Sequence, residues 1–289
     1  MPLQKLIFKP GINKEVTRYA AGNGWYDCDK VRFRFSLPEK IGGWARISGN
    51  TFQGVCRSLW AWITLTGAKL VGIGTHLKFY IELGGIYYDI TPIRATTTNA
   101  ATFAATDGST TITTTDNGHG AVIGDFVTFS SAASLGGVIT AVILNAEHQI
   151  VSVPTANTYT FTASIAANAS DSGNGGAATD AAYQISVGPE TVVPLIGFGA
   201  GKFGTGTFNV GSTSSVSLRQ WSQSNFGEDL VFGPRGGAPY YWDTTNSVTT
   251  RGVALSSLGG ASNTPVVQNL VFVSDINRFV FCFGTNALG

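Results

Sequence analysis

Positive charge is missing from the middle of this sequence. Residues 95–201 contain no lysine or arginine, whereas residues 1–94 contain 13 and residues 202–289 contain 5. A segment without cations is a poor candidate for binding nucleic acid, which needs cations against its phosphates. Charge of either sign is scarce throughout, at 12% of the chain, against about 25% in an average soluble domain. The formal net charge is +1 over 289 residues.

Other shortages exclude further classes. Three cysteines (Cys28, Cys56 and Cys282) are an odd set without metal-ligand spacing, so neither a disulfide framework nor a zinc site is expected. Folding in a reducing compartment is the natural expectation. The three histidines, His76, His119 and His148, are scattered and have no readable partner nearby. No run of about 20 apolar residues exists to span a membrane. No basic stretch leads into an apolar one at the start, so no secretory signal is expected.

Hydrolytic chemistry needs a nucleophile or a carboxylate pair with a poised partner, and no Gly-x-Ser-x-Gly elbow occurs. "GIGTHLK" (72–78) and "GAGKFGTG" (199–206) are glycine-rich, but they lack P-loop spacing and precede no helical pattern. They read as β-loops. Asp27, Cys28 and Asp29 are adjacent and read as a turn, because neighbouring strand residues point to opposite faces. No catalytic residue, metal or cofactor is assigned, and the chain is not expected to be an enzyme.

What is present points to an all-β fold. Glycine, at 37 residues, is enriched about twofold over the average. Threonine is abundant, and no long stretch repeats apolar residues at a 3.6 period. Three segments share one outline: "LVGIGTHLKFY" (70–80), "LVFGPRGGAPY" (230–240) and "LVFVSDINRFV" (270–280). Each has two short apolar arms around a turn, the pattern of a β-hairpin.

Around the first of these, strands are expected over 58–65, 69–74, 77–82 and 86–90, with turns at Thr66-Gly67, Thr75-His76 and Gly84-Gly85. Four consecutive antiparallel strands within about 35 residues match one propeller blade. "GGAPYYWDTT" (236–245) echoes "GGIYYDIT" (84–91), and a third unit opens near Pro265. The expected fold is thus β-propeller-like blades with an inserted small β-sandwich or barrel. Residues 1–54 form an extended leader, 55–94 with 187–289 a discontinuous propeller-like domain, and 95–186 the insert.

Within the insert, a strand, a turn at Asn117-Gly118 and a second strand direct Val127 and Phe129 inward. A further hairpin turns over Pro154–Asn157 and places Tyr159 and Phe161 on one face. Residues 168–182 read as a mobile loop, and 192–213 as an irregular extra strand pair. Asn168-Ala169-Ser170 is a glycosylation sequon, meaningful only in a secreted eukaryotic chain.

In the leader, "KVRFRF" alternates, with Val31, Phe33 and Phe35 on one face and Lys30, Arg32 and Arg34 on the other. Such charged rows are as a rule solvated faces; the functional alternative is docking to an acidic partner. Trp60, Trp62, Tyr87, Tyr88, Tyr240, Tyr241 and Trp242 fall at expected strand positions. Large aromatics fill the space between twisted sheets, where burying each contributes roughly 2–3 kcal/mol. The alternative is a platform for sugar rings.

The leader "FKPGINKEVTRYAAGNGWYDCDKVRFR…PEKIGGW", followed by "LVGIGTHLKFYIELGGIYYDITPIR", resembles the stabilisation or tail-nozzle proteins of short-tailed phages. The insert, with "HGAVIGDFVTFSSA" and "QIVSVPTANTYTF", is similar to small β-domains carried by many phage tail proteins. The resemblance implies a structural virion protein of the tail, assembled in the host cytoplasm. In that family a hexameric ring extends the DNA channel below the portal and adaptor, and DNA passes without specific binding. The sequence departs from the family by ending mid-pattern at "FCFGTNALG", where members continue through further blades. A second class stays open: a glycan-binding propeller for host-surface recognition, with glycosidase activity if separate strands bring two carboxylates together. A bacterial surface adhesin is disfavoured by the lack of an export signal.

Overall fold

The computed structural model describes residues 9–20, 22–43, 45–46, 48–135, 137–175, 179–188 and 219–286. The chain divides into two compact units, residues 1–49 and 50–289. The expected strand pair over 192–213 and the loop 199–206 lie outside the described residues.

In the first unit, β1 (Val31–Arg34) pairs antiparallel with β2 (Leu37–Lys40). Phe35 and Ser36 make the turn, with φ of 49° and 66°. A two-residue turn with both φ values positive matches the right-handed strand twist. That geometry corrects the expected alternation at both ends. Phe35 leaves the apolar face to make the turn and is exposed, and Lys30 precedes the strand with φ of 57°. Asp27 and Cys28 lie in irregular backbone just before a bend at Asp29 and Lys30, with the Cys28 amide donating to Asp27 Oδ1 at 3.1 Å.

The described strands of the second unit form four sheets, and every strand pair in them is antiparallel. The first is the meander β3 (Cys56–Ile63), β4 (Lys69–Thr75), β5 (Phe79–Leu83) and β6 (Ile86–Asp89). These match the four strands expected, because the period-2 pattern and the turn residues agree. Gly84 and Gly85 close β5 to β6 with φ of 60° and 87°, values that side-chain-bearing residues adopt at a cost.

The chain then builds an eight-stranded sheet from β7 (Ile93–Thr97), β8 (Thr102–Ala105), β9 (Thr111–Thr115), β10 (Phe126–Ser130), β11 (Glu147–Thr155), β12 (Thr158–Thr162), β13 (Asp171–Asn174) and β14 (Asp180–Gln184). The order is β13-β8-β9-β12-β11-β10-β14-β7, so the sheet is open rather than a closed barrel. A one-turn helix, α1 (Ala141–Leu144), precedes β11. Val127, Phe129, Tyr159 and Phe161 all point into the core of this sheet, as their alternation requires.

Residues 168–182, expected as a loop, contain β13 and the start of β14. A strand of serine, glycine and asparagine carries no apolar period, and only its pairing with β8 defines it. The entry strand β7 and the exit strand β14 are paired, with Ile93 opposite Gln184 and Thr97 opposite Ala181. The first and last strands of the eight-stranded sheet in chain order are therefore neighbours within it.

The third sheet is β15 (Trp221–Phe226), β16 (Asp229–Pro234), β17 (Tyr240–Trp242) and β18 (Val253–Ala254). The fourth is the hairpin β19 (Leu270–Val273) and β20 (Val280–Phe283). The described residues are nearly all β, in several sheets, none of them closed. The repeats at 70–80 and 230–240 both span the second and third strands of a four-stranded meander. The repeat at 270–280 differs, spanning a two-stranded sheet. Leu70 and Leu230, which open the first two repeats, both enter one core shared by their sheets.

That core holds Phe79, Ile81, Trp221, Phe232 and Trp242. Phe79 stacks on Phe232 at 4.3 Å and meets the edge of Trp221 at 4.9 Å. Gly74 permits the approach: a Cβ there would lie 2.4 Å from Trp221 Cδ1, so any other residue would force the sheets apart. The opposite face of β15–β16 packs on β19 through Val231, Val271 and Val273. Amides of Val271 and Val273 donate to Ser222 Oγ and Ser224 Oγ at 3.0 and 3.2 Å. Three layers are thus stacked face to face: β3–β6, then β15–β18, then β19–β20.

Candidate functional site

The strongest concentration of charge in the second unit is a closed ring of four side chains drawn from three sheet regions. Lys78, in the β4–β5 turn, donates to Asp89 Oδ2 at 2.8 Å and pairs with Glu147 Oε1 of β11. Arg251, just before β18, reaches Asp89 Oδ1 at 3.3 Å and Glu147 Oε2 at 3.4 Å. Each carboxylate therefore faces two cations and each cation two carboxylates. Lys78 is almost wholly buried and also lies 4.5 Å over the ring of Phe126. Neighbours complete the bonding: Thr91 Oγ1 donates to Asp89 Oδ1 at 2.6 Å, Gln184 donates to Glu147, and Arg251 donates to the Thr91 carbonyl at 2.8 Å.

The electrostatics follow from this geometry. Burial alone would raise the Asp89 carboxyl, but Lys78 and Arg251, with hydrogen bonds from Lys78 and Thr91, outweigh it and hold the group below its ordinary value. A carboxyl so held is ionised at neutral pH and is no proton donor. Asp89 and Glu147 are carboxylates brought together from separate strands, but a glycosidase acid requires a raised value, and Asp89 is held below its ordinary one. Here both carboxylates are neutralised by fixed cations, and the arrangement clamps the eight-stranded sheet to the two meanders. None of its four members was singled out by the sequence. The available signal was the lack of lysine and arginine in 95–201, since an acid such as Glu147 that is half-buried there must find its cation elsewhere.

A second polar cluster lies inside the eight-stranded sheet. Tyr159 and Tyr183 share a hydroxyl contact at 2.9 Å, Tyr183 donates to Asp116 Oδ2 at 2.6 Å, and Thr97 donates to the same oxygen at 2.5 Å. His119 is buried with its ring 4.9 Å from that of Tyr159. Burial, first of the causes, pushes the phenols of Tyr80, Tyr159 and Tyr183 upward, and that of Tyr240 to about 12.

Raised phenol values favour the neutral form in the fold. Their contribution is complete below the ordinary value of about 10 and is lost as pH rises through the folded value, by about 1.4 kcal/mol per pH unit for each group. An alkaline titration read at the phenolate absorbance should show a late component that rises together with loss of the near-ultraviolet dichroism. Complete ionisation without loss of fold would contradict this account.

The residues proposed for docking lie in the first unit, on or beside its hairpin. Arg32 is engaged with Glu39 across the hairpin at 3.1 Å, Arg34 lies 5.3 Å over the Phe35 ring, and Lys30 is exposed 3.9 Å from Asp29. Arg32 and Arg34 alternate to one face of β1, and Lys30 precedes that strand with φ of 57°. The aromatics separate by layer. Trp62, Tyr240 and Trp242 belong to the core between the meanders or pack on it. Trp60 and Trp62 donate to Asn225 Oδ1 and the Glu228 carbonyl at 2.5 and 2.9 Å. Tyr87 packs against Phe52 at 5.1 Å, and Tyr241 lies against the third layer. Trp62, Tyr240 and Trp242 thus take the space-filling role, whereas Trp60 is 39% exposed.

A cavity of about 120 Å³ lies at one end of the eight-stranded sheet, lined by Leu135, Ile139, Asn168 and Asp171 among others. Among the described residues no group of three or more His, Cys, Asp or Glu side chains is placed to hold a metal ion. No described helix is long and apolar enough to cross a membrane.

No protein-family model matches the chain, and no curated protein matches it. Among solved structures the chain is similar to a phage phi92 endosialidase, at 15% identity and a TM-score of 0.28, over 88% of this chain and 36% of that one. The chain thus spans little more than a third of that protein. A likeness at this level leaves the fold to be read from the sheets themselves.

Proposed function

We propose that this chain is a structural component of a phage tail, a wall subunit of the nozzle that extends the DNA channel below the portal and adaptor. The tail class comes from the wording of the leader and first meander described above. The mechanical role is supported by one observation: the described sheets carry exposed apolar side chains, Leu59 and Ile63 on β3 and Phe272, Phe281 and Phe283 on the β19–β20 hairpin. Contiguous exposed apolar side chains of this kind mark protein contacts. In this role the fold works by buried area, the ion ring fixes the insert against the meanders, and the lysine-free insert projects away from DNA. Lys30, Arg32 and Arg34 are the residues assigned to docking on an acidic neighbour, either the adaptor or another subunit.

Purified virions test the proposal. Mass spectrometry should find the chain at a fixed copy number per particle, and gold-labelled antibody against residues 95–186 should mark the tail. Absence from the particle overturns it. Deleting residues 1–50 should lower retention in assembled tails; unchanged retention removes the docking role of the basic strand.

A further inference from the structure

Asparagine is followed directly by glycine at Asn23, Asn117 and Asn174. This pair is the least hindered setting for a reaction of the main chain with a side chain, because glycine has no Cβ to shield its own amide nitrogen. That nitrogen gives up its proton to solvent base and attacks the asparagine Cγ. The bond from Cγ to the side-chain nitrogen breaks, that nitrogen takes up a proton and leaves as ammonia, and a cyclic succinimide remains. Water opens the ring at either carbonyl, giving aspartate or an isoaspartate whose main chain is longer by a carbon. No oxidant or reductant takes part. The reaction requires a glycine amide whose proton is not engaged and a backbone able to turn.

The fold treats these sites differently. Asn174 is held in β13, opposite Phe103 of β8. Asn23 and Asn117 are both exposed and both lie in turns, so access to water does not separate them. At the second of them the Gly118 amide donates to Asn157 Oδ1 at 3.0 Å. Asn157 is itself fixed in the β11–β12 turn. Its amide donates to Thr155 Oγ1 at 3.2 Å, and its carbonyl accepts from the Asp116 amide at 2.9 Å. The backbone is thus fastened on both sides of Asn117, and the nucleophile's proton is engaged. At Asn23, by contrast, the Gly24 amide donates to no described group.

We infer that Asn23 is a site of spontaneous deamidation and that Asn157 guards Asn117 against the same reaction. The change at Asn23 has a structural consequence. The Asn23 carbonyl accepts from the Lys9 amide at 2.7 Å, and the Trp25 carbonyl accepts from the Asn13 amide at 2.9 Å. These two bonds flank the Asn23-Gly24 peptide, so an extra main-chain carbon between them puts one out of register. Isoaspartate at this position therefore loosens the loop that precedes β1 and adds a negative charge to it. Neither site bears on the tail role proposed above, which stands or falls by the presence of the chain in virions.

Peptide mass spectrometry on the full 289-residue chain, held at mildly alkaline pH with and without urea, tests both halves. Fragment ions separate aspartate from isoaspartate at each position. In the folded chain residue 23 should convert at close to its rate in urea, and residue 117 should convert more slowly than it does in urea. Equal protection at the two positions, or no protection of residue 117, would overturn the inference. Asn157→Ala removes the acceptor and should speed conversion at residue 117 roughly two- to tenfold, the worth of one neutral hydrogen bond. Asn157→Asp keeps an oxygen in place and should leave residue 117 slow. Asn157 is exposed, so both variants should keep the wild-type near-ultraviolet dichroism and the wild-type rate at residue 23. Equal rates at residue 117 in the two variants would remove the guarding role.

Discussion

Replacing Lys78 with methionine is expected to destabilise the fold by about 3–5 kcal/mol, the usual cost of removing one partner from a buried ion pair. Methionine keeps most of the stem volume and its contact with the Phe126 ring but removes the charge. Asp89 and Glu147 would then share only Arg251, whose contacts to them are the longer ones at 3.3 and 3.4 Å. The lysine side chain is 4% exposed and the two carboxylates 20% and 26%, so water cannot fully replace the lost cation.

The measurement is a denaturant midpoint, with the double variant Lys78→Met/Glu147→Gln as the control. Removing one charge of each sign should cost less than the two single changes added together. Acid gives an independent check. The Asp89 carboxyl sits below its ordinary 3.8, so its contribution is complete above that value and is lost as pH falls through the folded one. Lys78→Met should show a shallower loss in that window. An unchanged midpoint would mean that the ring adds nothing to stability.

Phe79→Ala should cost about 3–5 kcal/mol through the cavity it leaves. Phe79 is fully buried and lies between Phe232 and Trp221. The gap cannot easily close, because Trp221 is anchored by its indole N–H on the Thr75 carbonyl at 2.7 Å and already lies against Gly74. The comparison is Phe272→Ala on the outermost hairpin, also an aromatic on a strand but 38% exposed. In the isolated chain that change should cost well under half as much. Equal losses at the two sites would contradict the layer order described here.

The parts of the fold that were legible were those where local chemistry and sheet geometry agree. The four strands of the first meander follow from alternation and from turns at Thr66-Gly67 and Gly84-Gly85. The inward faces of β10 and β12 follow from Val127, Phe129, Tyr159 and Phe161. β13 was not legible, because Asp-Ser-Gly-Asn has neither period nor propensity and exists as a strand only by pairing with β8. Lys30 and Phe35 were misplaced because a two-residue turn takes its members from the strand that the alternation had extended.

The ion ring shows a different limit. Lys78 follows a turn, Asp89 ends a strand, and Glu147 and Arg251 lie far along the chain. Nothing within ten residues of any of them distinguishes it from a solvated charge.

By itself the sequence determined the pleated character of this protein, the position of most turns and the inward side of most strands, because these depend on neighbours one to four residues away. Only the tertiary structure decided which sheets lie on which, that Leu70 and Leu230 meet in one core, and that four distant charges neutralise one another. Those outcomes depend on contacts between residues up to 166 positions apart, such as Trp62 with Glu228, and no short pattern encodes a contact of that range.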